Sequence, residues 1–174
     1  MDAFGKCFYY GYEFSEQVDS SVRTAFIKYV KFTEDLQNTP ELTTFIKKAV
    51  DNLHKKINLY NYDLVVMPES SSKVNQYMLR YIYRFAQPTL CKMTLVKALP
   101  QNISFDMNFL RFESEEEREL CSMLRQQNVL VIDDVTTSGS TLNEVLRTLR
   151  ILNEDNEITI FSLIGRKDLM AESL

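Results

Sequence analysis

The chain has 174 residues, 45% of them hydrophobic and 25% charged, with a net charge of −4. That length favours one domain with a sizeable core, and the acidic balance advertises no nucleic-acid surface. No apolar stretch nears the roughly 20 residues needed to span a bilayer, so no membrane partner is expected.

Cys7, Cys91 and Cys121 are far apart and show no CxxC spacing, which argues against a zinc site or disulfide framework. Reduced thiols in a cytoplasmic protein fit this usage. The N-terminus lacks the basic start and apolar run of a signal peptide.

Residues 6–14 are aromatic and β-prone, and alternation splits their rings between two faces. Ser15 can cap a helix over about 16–36, with Val18, Val22, Ala25, Phe26, Tyr29 and Val30 on one face. Thr39-Pro40-Glu41 is a helix start. The helix that follows turns Leu42, Phe45, Ile46, Ala49, Leu53 and Ile57 inward and ends near Asn58. The only histidine, His54, lies beside that stripe and reads as structural, because a catalytic base needs partners in reach.

Residues 63–67 form an apolar strand run, broken by Pro68-Glu69-Ser70-Ser71-Ser72-Lys73. A helix follows with Val74, Tyr77, Met78, Tyr81 and Phe85 on one face. A strand is expected over Cys91 to Ala98, then an irregular stretch from Gln101 to Phe112. Ser114-Glu115-Glu116-Glu117 is a capping box for a short helix to about Gln126. A last strand spans about Glu157 to Ile164. From residue 63 this alternation predicts an α/β protein with a mostly parallel sheet flanked by helices.

The richest stretch runs from Val129 to Leu142. Four apolar β-formers suit a strand buried on both faces. Asp133 and Asp134 follow, then the hydroxyl-rich Thr136-Thr137-Ser138-Gly139-Ser140-Thr141, then Leu142, Val145, Leu146, Leu149 and Leu152 at helical spacing. Backbone N–H groups at such a helix start can face a phosphate, the hydroxyls add donors, and Gly139 permits close approach. The two carboxylates cannot bind that phosphate. They can accept hydrogen bonds from sugar hydroxyls or hold Mg²⁺ through water. Loops 68–73, 97–112 and 133–141 should meet at the C-terminal ends of the strands, where open α/β sheets bind ligands. A receiver domain also has an acid pair after an apolar strand, but there the pair ends the first strand of a domain of about 120 residues, whereas here only 40 residues follow Asp134. No Gly-x-x-x-x-Gly-Lys loop is present.

Val129–Leu142 resembles the signature of type I phosphoribosyltransferases, and residues 63–164 have the element order of that fold. Pro68, Asn75-Gln76 and the Thr-Thr-x-Gly-x-Thr variant resemble the ComF-like branch linked to DNA uptake. The resemblance implies one domain over 1–174, with a 5-phosphoribosyl-1-diphosphate (PRPP) binding core at 61–168 and an N-terminal α/β hood at 1–60 for the incoming nucleophile. It implies that Asp133 and Asp134 hold the ribose 2- and 3-hydroxyls. Thr136, Thr137, Ser138, Gly139, Ser140 and Thr141 would form the 5-phosphate loop. Glu69, Ser70, Ser71, Ser72 and Lys73 would take the pyrophosphate on backbone amides, and Lys97 would supply a cation. Thr137 stands where many members carry an acid near the incoming base, and it cannot act as a general base at neutral pH. Mg²⁺ is the implied cofactor. The implied partners are PRPP and a nucleobase or nucleoside monophosphate, with a homodimer common among relatives.

Two functions from different classes follow. One is a Mg²⁺-dependent phosphoribosyltransferase that releases pyrophosphate as a nitrogen nucleophile takes the sugar. The other is a regulator on the same fold that senses PRPP or a nucleotide without turnover.

Overall fold

The computed structural model describes residues 7–14, 17–33, 35, 36, 38–68, 72–85, 89–96, 109–112, 128–136, 139, 141–143, 145, 146, 149 and 157–165. In chain order the elements are β1 (Cys7–Glu13), α1 (Ser20–Phe32), α2 (Pro40–Lys56), β2 (Leu64–Pro68), α3 (Val74–Ile82), β3 (Thr89–Val96), β4 (Phe109–Phe112), β5 (Asn128–Val135) and β6 (Glu157–Gly165). Residues 141–143, 145, 146 and 149 are helical as well.

The strands form one sheet in the order β1-β6-β5-β2-β3-β4. Only β4 runs antiparallel, against β3; every other pairing is parallel. The expected α/β fold with a mostly parallel sheet is therefore present. The central strands are apolar on consecutive residues because both their faces are covered. On one face Val65, Met67, Leu130, Ile132, Phe161 and Leu163 pack with α1, α2 and α3. On the other, Leu64, Val66, Val129, Val131, Ile158 and Ile160 pack with Leu142, Val145, Leu146 and Leu149. Each fully buried side chain of this kind contributes about 1.5–3 kcal/mol.

Several sequence expectations need correction. Residues 109–112 belong to a strand, although the stretch up to Phe112 reads as irregular. Four residues are too few to show a period, and pairing with β3 makes the strand. α1 begins at Ser20, not near residue 16, because the Asp19 carboxylate accepts a hydrogen bond from the Ser21 N–H at 2.7 Å and caps the helix. Val22 and Tyr29 point outward, 59% and 44% exposed, while Val30 is fully buried with Phe26 and Ile27 beside it. α3 turns Asn75, Leu79 and Ile82 inward with Val74 and Met78; Tyr77 and Tyr81 lie at its border, under Arg80 and Arg84. The helix expected over 114–126 lies outside the described residues.

β1 needs a fuller correction. Sequence sets residues 1–60 apart from the 61–168 core, yet β1 pairs parallel with β6 inside the same sheet. Within the strand the rings divide as alternation requires, with Phe8 and Tyr10 on one face of the sheet and Tyr9 on the other; Phe14, past the strand end, packs on the face of Tyr9. His54 is structural, as expected. Its Nδ1 accepts from the Leu59 N–H at 3.3 Å, and its ring stacks on Phe85 with centroids 4.1 Å apart.

Candidate functional site

The site follows from how the chain leaves β2 and β5, which are neighbours and parallel. From β2 the chain crosses through α3 to β3 on one side. From β5 it crosses through the helical residues 141–143, 145, 146 and 149 to β6 on the other. Parallel crossovers are right-handed, so opposite lateral directions require opposite faces, and the two helices do pack on opposite faces. The two connections therefore part at the C-terminal ends of β2 and β5 and open a crevice there. Ser72 and Lys73 stand on one wall, and Asp133 to Thr136, Gly139 and Thr141 on the other.

On the β5 wall, Asp133 and Asp134 stand inside the strand end and are 6% and 2% exposed. The Asp134 N–H donates to the Asp133 carboxylate at 2.9 Å, and the Val135 N–H donates to that of Asp134 at 2.6 Å. Burial first, and the neighbouring Asp134 charge second, push the Asp133 carboxyl up to about 8; the Asp134 N–H, Lys31 and Asn75 act in the opposite direction. Thr136 turns inward. Its hydroxyl is hydrogen-bonded to that of Ser162, and its N–H donates to the Ile164 carbonyl at 2.9 Å. Its side chain is thus engaged with β6. Gly139 is buried at φ 74°, a left-handed conformation that favours glycine. Its carbonyl accepts from the Asn143 N–H at 2.9 Å, so the helix starts there. Thr141 is helical and half-buried.

On the β2 wall, buried Ser72 accepts the Val74 N–H on its hydroxyl oxygen at 3.2 Å and so starts α3. Lys73 is exposed at the cap position. Glu69, Ser70, Ser71, Lys97, Thr137, Ser138 and Ser140 lie outside the described residues. The fold thus brings Asp133, Asp134, Thr136, Gly139 and Thr141 to one side of the crevice, and Ser72 and Lys73 to the other.

Two residues to which the sequence assigned no site role belong here: Asn75, noted there only within the ComF-like resemblance, and Lys31. Lys31, in the last turn of α1, brings positive charge toward Asp133. Asn75, in the first turn of α3, is 1% exposed, and neither its amide nitrogen nor its amide oxygen has a hydrogen-bond partner. It lies against Asp133, which its amide helps to stabilise as the anion, but without forming a hydrogen bond of normal geometry. A polar residue among the apolar positions of α3 was the available signal for Asn75. For Lys31 there was none, because only packing sets α1 against β5.

Two adjacent buried carboxylates are hard oxygen donors in mutual repulsion, and a divalent cation held through water or through a ligand would relieve that repulsion. The donor set therefore fits Mg²⁺. Among the described residues, no group of three or more His, Cys, Asp or Glu is placed to hold a metal by itself.

No protein-family model and no curated protein sequence matches the chain. Solved structures do. A hypoxanthine phosphoribosyltransferase from Staphylococcus aureus superposes with a TM-score of 0.53 at 13% identity, over 78% of this chain and 74% of that one. A hypoxanthine-guanine phosphoribosyltransferase from Bacillus anthracis gives 0.52 at 14% identity, over 74% and 71%. A hypothetical protein from Neisseria gonorrhoeae with bound ppGpp gives 0.50 at 17% identity, over 72% and 68%. The chain thus has the type I phosphoribosyltransferase fold. No helix among the described residues is long and apolar enough to cross a membrane.

Proposed function

We propose that this protein is a Mg²⁺-dependent phosphoribosyltransferase, which takes PRPP and a nucleobase or related nitrogen nucleophile and releases pyrophosphate. The observation that carries the reading is the buried acid pair Asp133-Asp134 at the end of β5, one turn ahead of the left-handed Gly139 that starts the next helix. The acids suit a sugar diol, and the helix start suits a phosphate. Likeness in fold to the phosphoribosyltransferases supports the same assignment.

In this reading Thr137, Ser138, Gly139, Ser140 and Thr141 hold the 5-phosphate through the helix start. Asp133 and Asp134 orient the ribose hydroxyls. Glu69, Ser70, Ser71, Ser72 and Lys73 receive the pyrophosphate at the start of α3, with Lys97 and Lys31 as cations. As the bond from the sugar C1 to pyrophosphate lengthens, positive charge grows on the sugar and negative charge on the leaving group. The protein contributes fixed dipoles and excludes water from a reactive cation. Bound Mg²⁺ would add charge stabilisation at the pyrophosphate oxygens. The hood for the acceptor base falls to residues 1–60 outside β1.

A sensor that binds a nucleotide without turnover is the second reading. The ppGpp held by the Neisseria gonorrhoeae protein of similar fold favours it, as does the presence of only Lys31 and Lys73 as described cations near the crevice.

The test is to mix the protein with PRPP, Mg²⁺ and a panel of bases and to measure pyrophosphate. We expect release that depends on one base and falls ~100-fold or more in Asp133→Asn. PRPP binding by calorimetry with no turnover on any base would favour the sensor. Failure to bind either PRPP or a nucleoside monophosphate would exclude both.

A further inference from the structure

Among the described residues, the side chain of Asn75 is the buried polar group with both amide atoms left without a hydrogen-bond partner. It is 1% exposed. A buried amide left without partners is costly, and Leu or Met at this position would fill similar space without that cost. Neighbouring inward positions of α3 are filled in that way, by Val74, Met78, Leu79 and Ile82.

Its place in the fold gives the amide a use. Asn75 sits in the first turn of α3, directly after β2, and β2 pairs with β5 in parallel. α3 also packs against β5. The amide therefore approaches the acid pair from the opposite wall of the crevice. Asp133 already accepts the Asp134 N–H on one oxygen, and two carboxylate oxygens offer about four acceptor sites. An amide N–H from across the crevice would fix the plane of that carboxylate while its remaining lone pairs stay available to a hydroxyl. Being enclosed, Asn75 acts through the acid and needs no access for ligand.

We infer that Asn75 is a positioning residue for Asp133: its amide, unpartnered in the free protein, turns its N–H onto the Asp133 carboxylate when a vicinal diol is bound, and sets that carboxylate for the diol. The inference rests on the ribose-phosphate reading of the crevice and adds to it the group that orients the acid.

Two ligands separate the possibilities. Ribose 5-phosphate engages both the diol site and the phosphate loop, whereas inorganic phosphate engages the loop alone. Both are titrated into the full-length protein by calorimetry, for the native chain and for Asn75→Leu and Asn75→Ser. The leucine variant should bind ribose 5-phosphate roughly two- to tenfold more weakly, the loss expected for one hydrogen bond, and should bind phosphate unchanged. The serine variant, which keeps a donor, should fall between. The leucine variant should also melt no lower than the native protein, since the unpartnered amide is gone. Equal binding of ribose 5-phosphate by native and leucine proteins overturns the inference alone. Parallel loss of both ligands in the leucine variant overturns it in favour of a purely structural role. A native protein that binds phosphate but not ribose 5-phosphate overturns the diol reading itself, and this inference with it.

Discussion

Asp133 holds its proton well above the usual carboxylate range, to about 8, through burial and the Asp134 charge. In the unfolded chain an aspartate releases its proton near 4. Between those values the folded form keeps a proton that the unfolded form has lost, so stability falls as pH rises from about 4 to about 8. Asp133→Asn removes this dependence. The variant should melt clearly above the native protein at pH 8 and close to it at pH 4. Thermal melts across that range check it, and a constant difference at every pH would count against it. The same variant should lose pyrophosphate release, so stability and function oppose each other at one atom group. Gly139 is a second case. Its φ of 74° is costly for any residue with a Cβ, so Gly139→Val should lose about 1–2 kcal/mol of stability as well as its ligand. Urea melts and phosphate titration would separate the two losses.

At the scale of elements, close packing sets the tolerances. A Cβ added to Gly11 on β1 would stand 2.8 Å from both the Leu163 carbonyl oxygen on β6 and the Ala49 Cβ on α2. The backbone of β6 cannot retreat without breaking the sheet, so Gly11→Ala should cost roughly 1–3 kcal/mol, read as a lower urea midpoint with an unchanged slope. Leu146 is 3% exposed and packs against the sheet face opposite α3. Leu146→Asp would bury an unpaired charge and should abolish cooperative melting. The helix faces also show how far a period carries. α2 turns inward Leu42, Ile46, Ala49 and Leu53, as its spacing predicts. α1 has apolar residues on two sides, so spacing cannot choose between them. Contact with β5 and α2 draws in Phe26 and Val30 and leaves Phe32 71% exposed.

For the molecule as a whole, the N-terminal strand is structural. β1 covers the edge of β6, and Tyr12 and Phe14 join Phe26 and Phe45 in an aromatic cluster with ring centroids 5.2–6.3 Å apart. Deleting residues 1–14 should therefore leave a chain without a cooperative thermal transition, as checked by circular dichroism. If instead these residues were an appended hood, the remainder would melt as a unit. The sequence by itself determined the α/β class, the strand carrying Asp133 and Asp134, the glycine at the helix start and the inward stripe of α2. Each of these is local: consecutive apolar residues mark a strand covered on both faces, and periodicity marks a helix. Only the tertiary structure decided that β1 pairs with β6, that residues 109–112 pair with β3, and that Lys31 and Asn75 stand beside Asp133. Those contacts join residues that no spacing along the sequence relates: the pairings of β1 and β4 close the two edges of the sheet, and the packing of α1 and α3 on β5 brings Lys31 and Asn75 to Asp133.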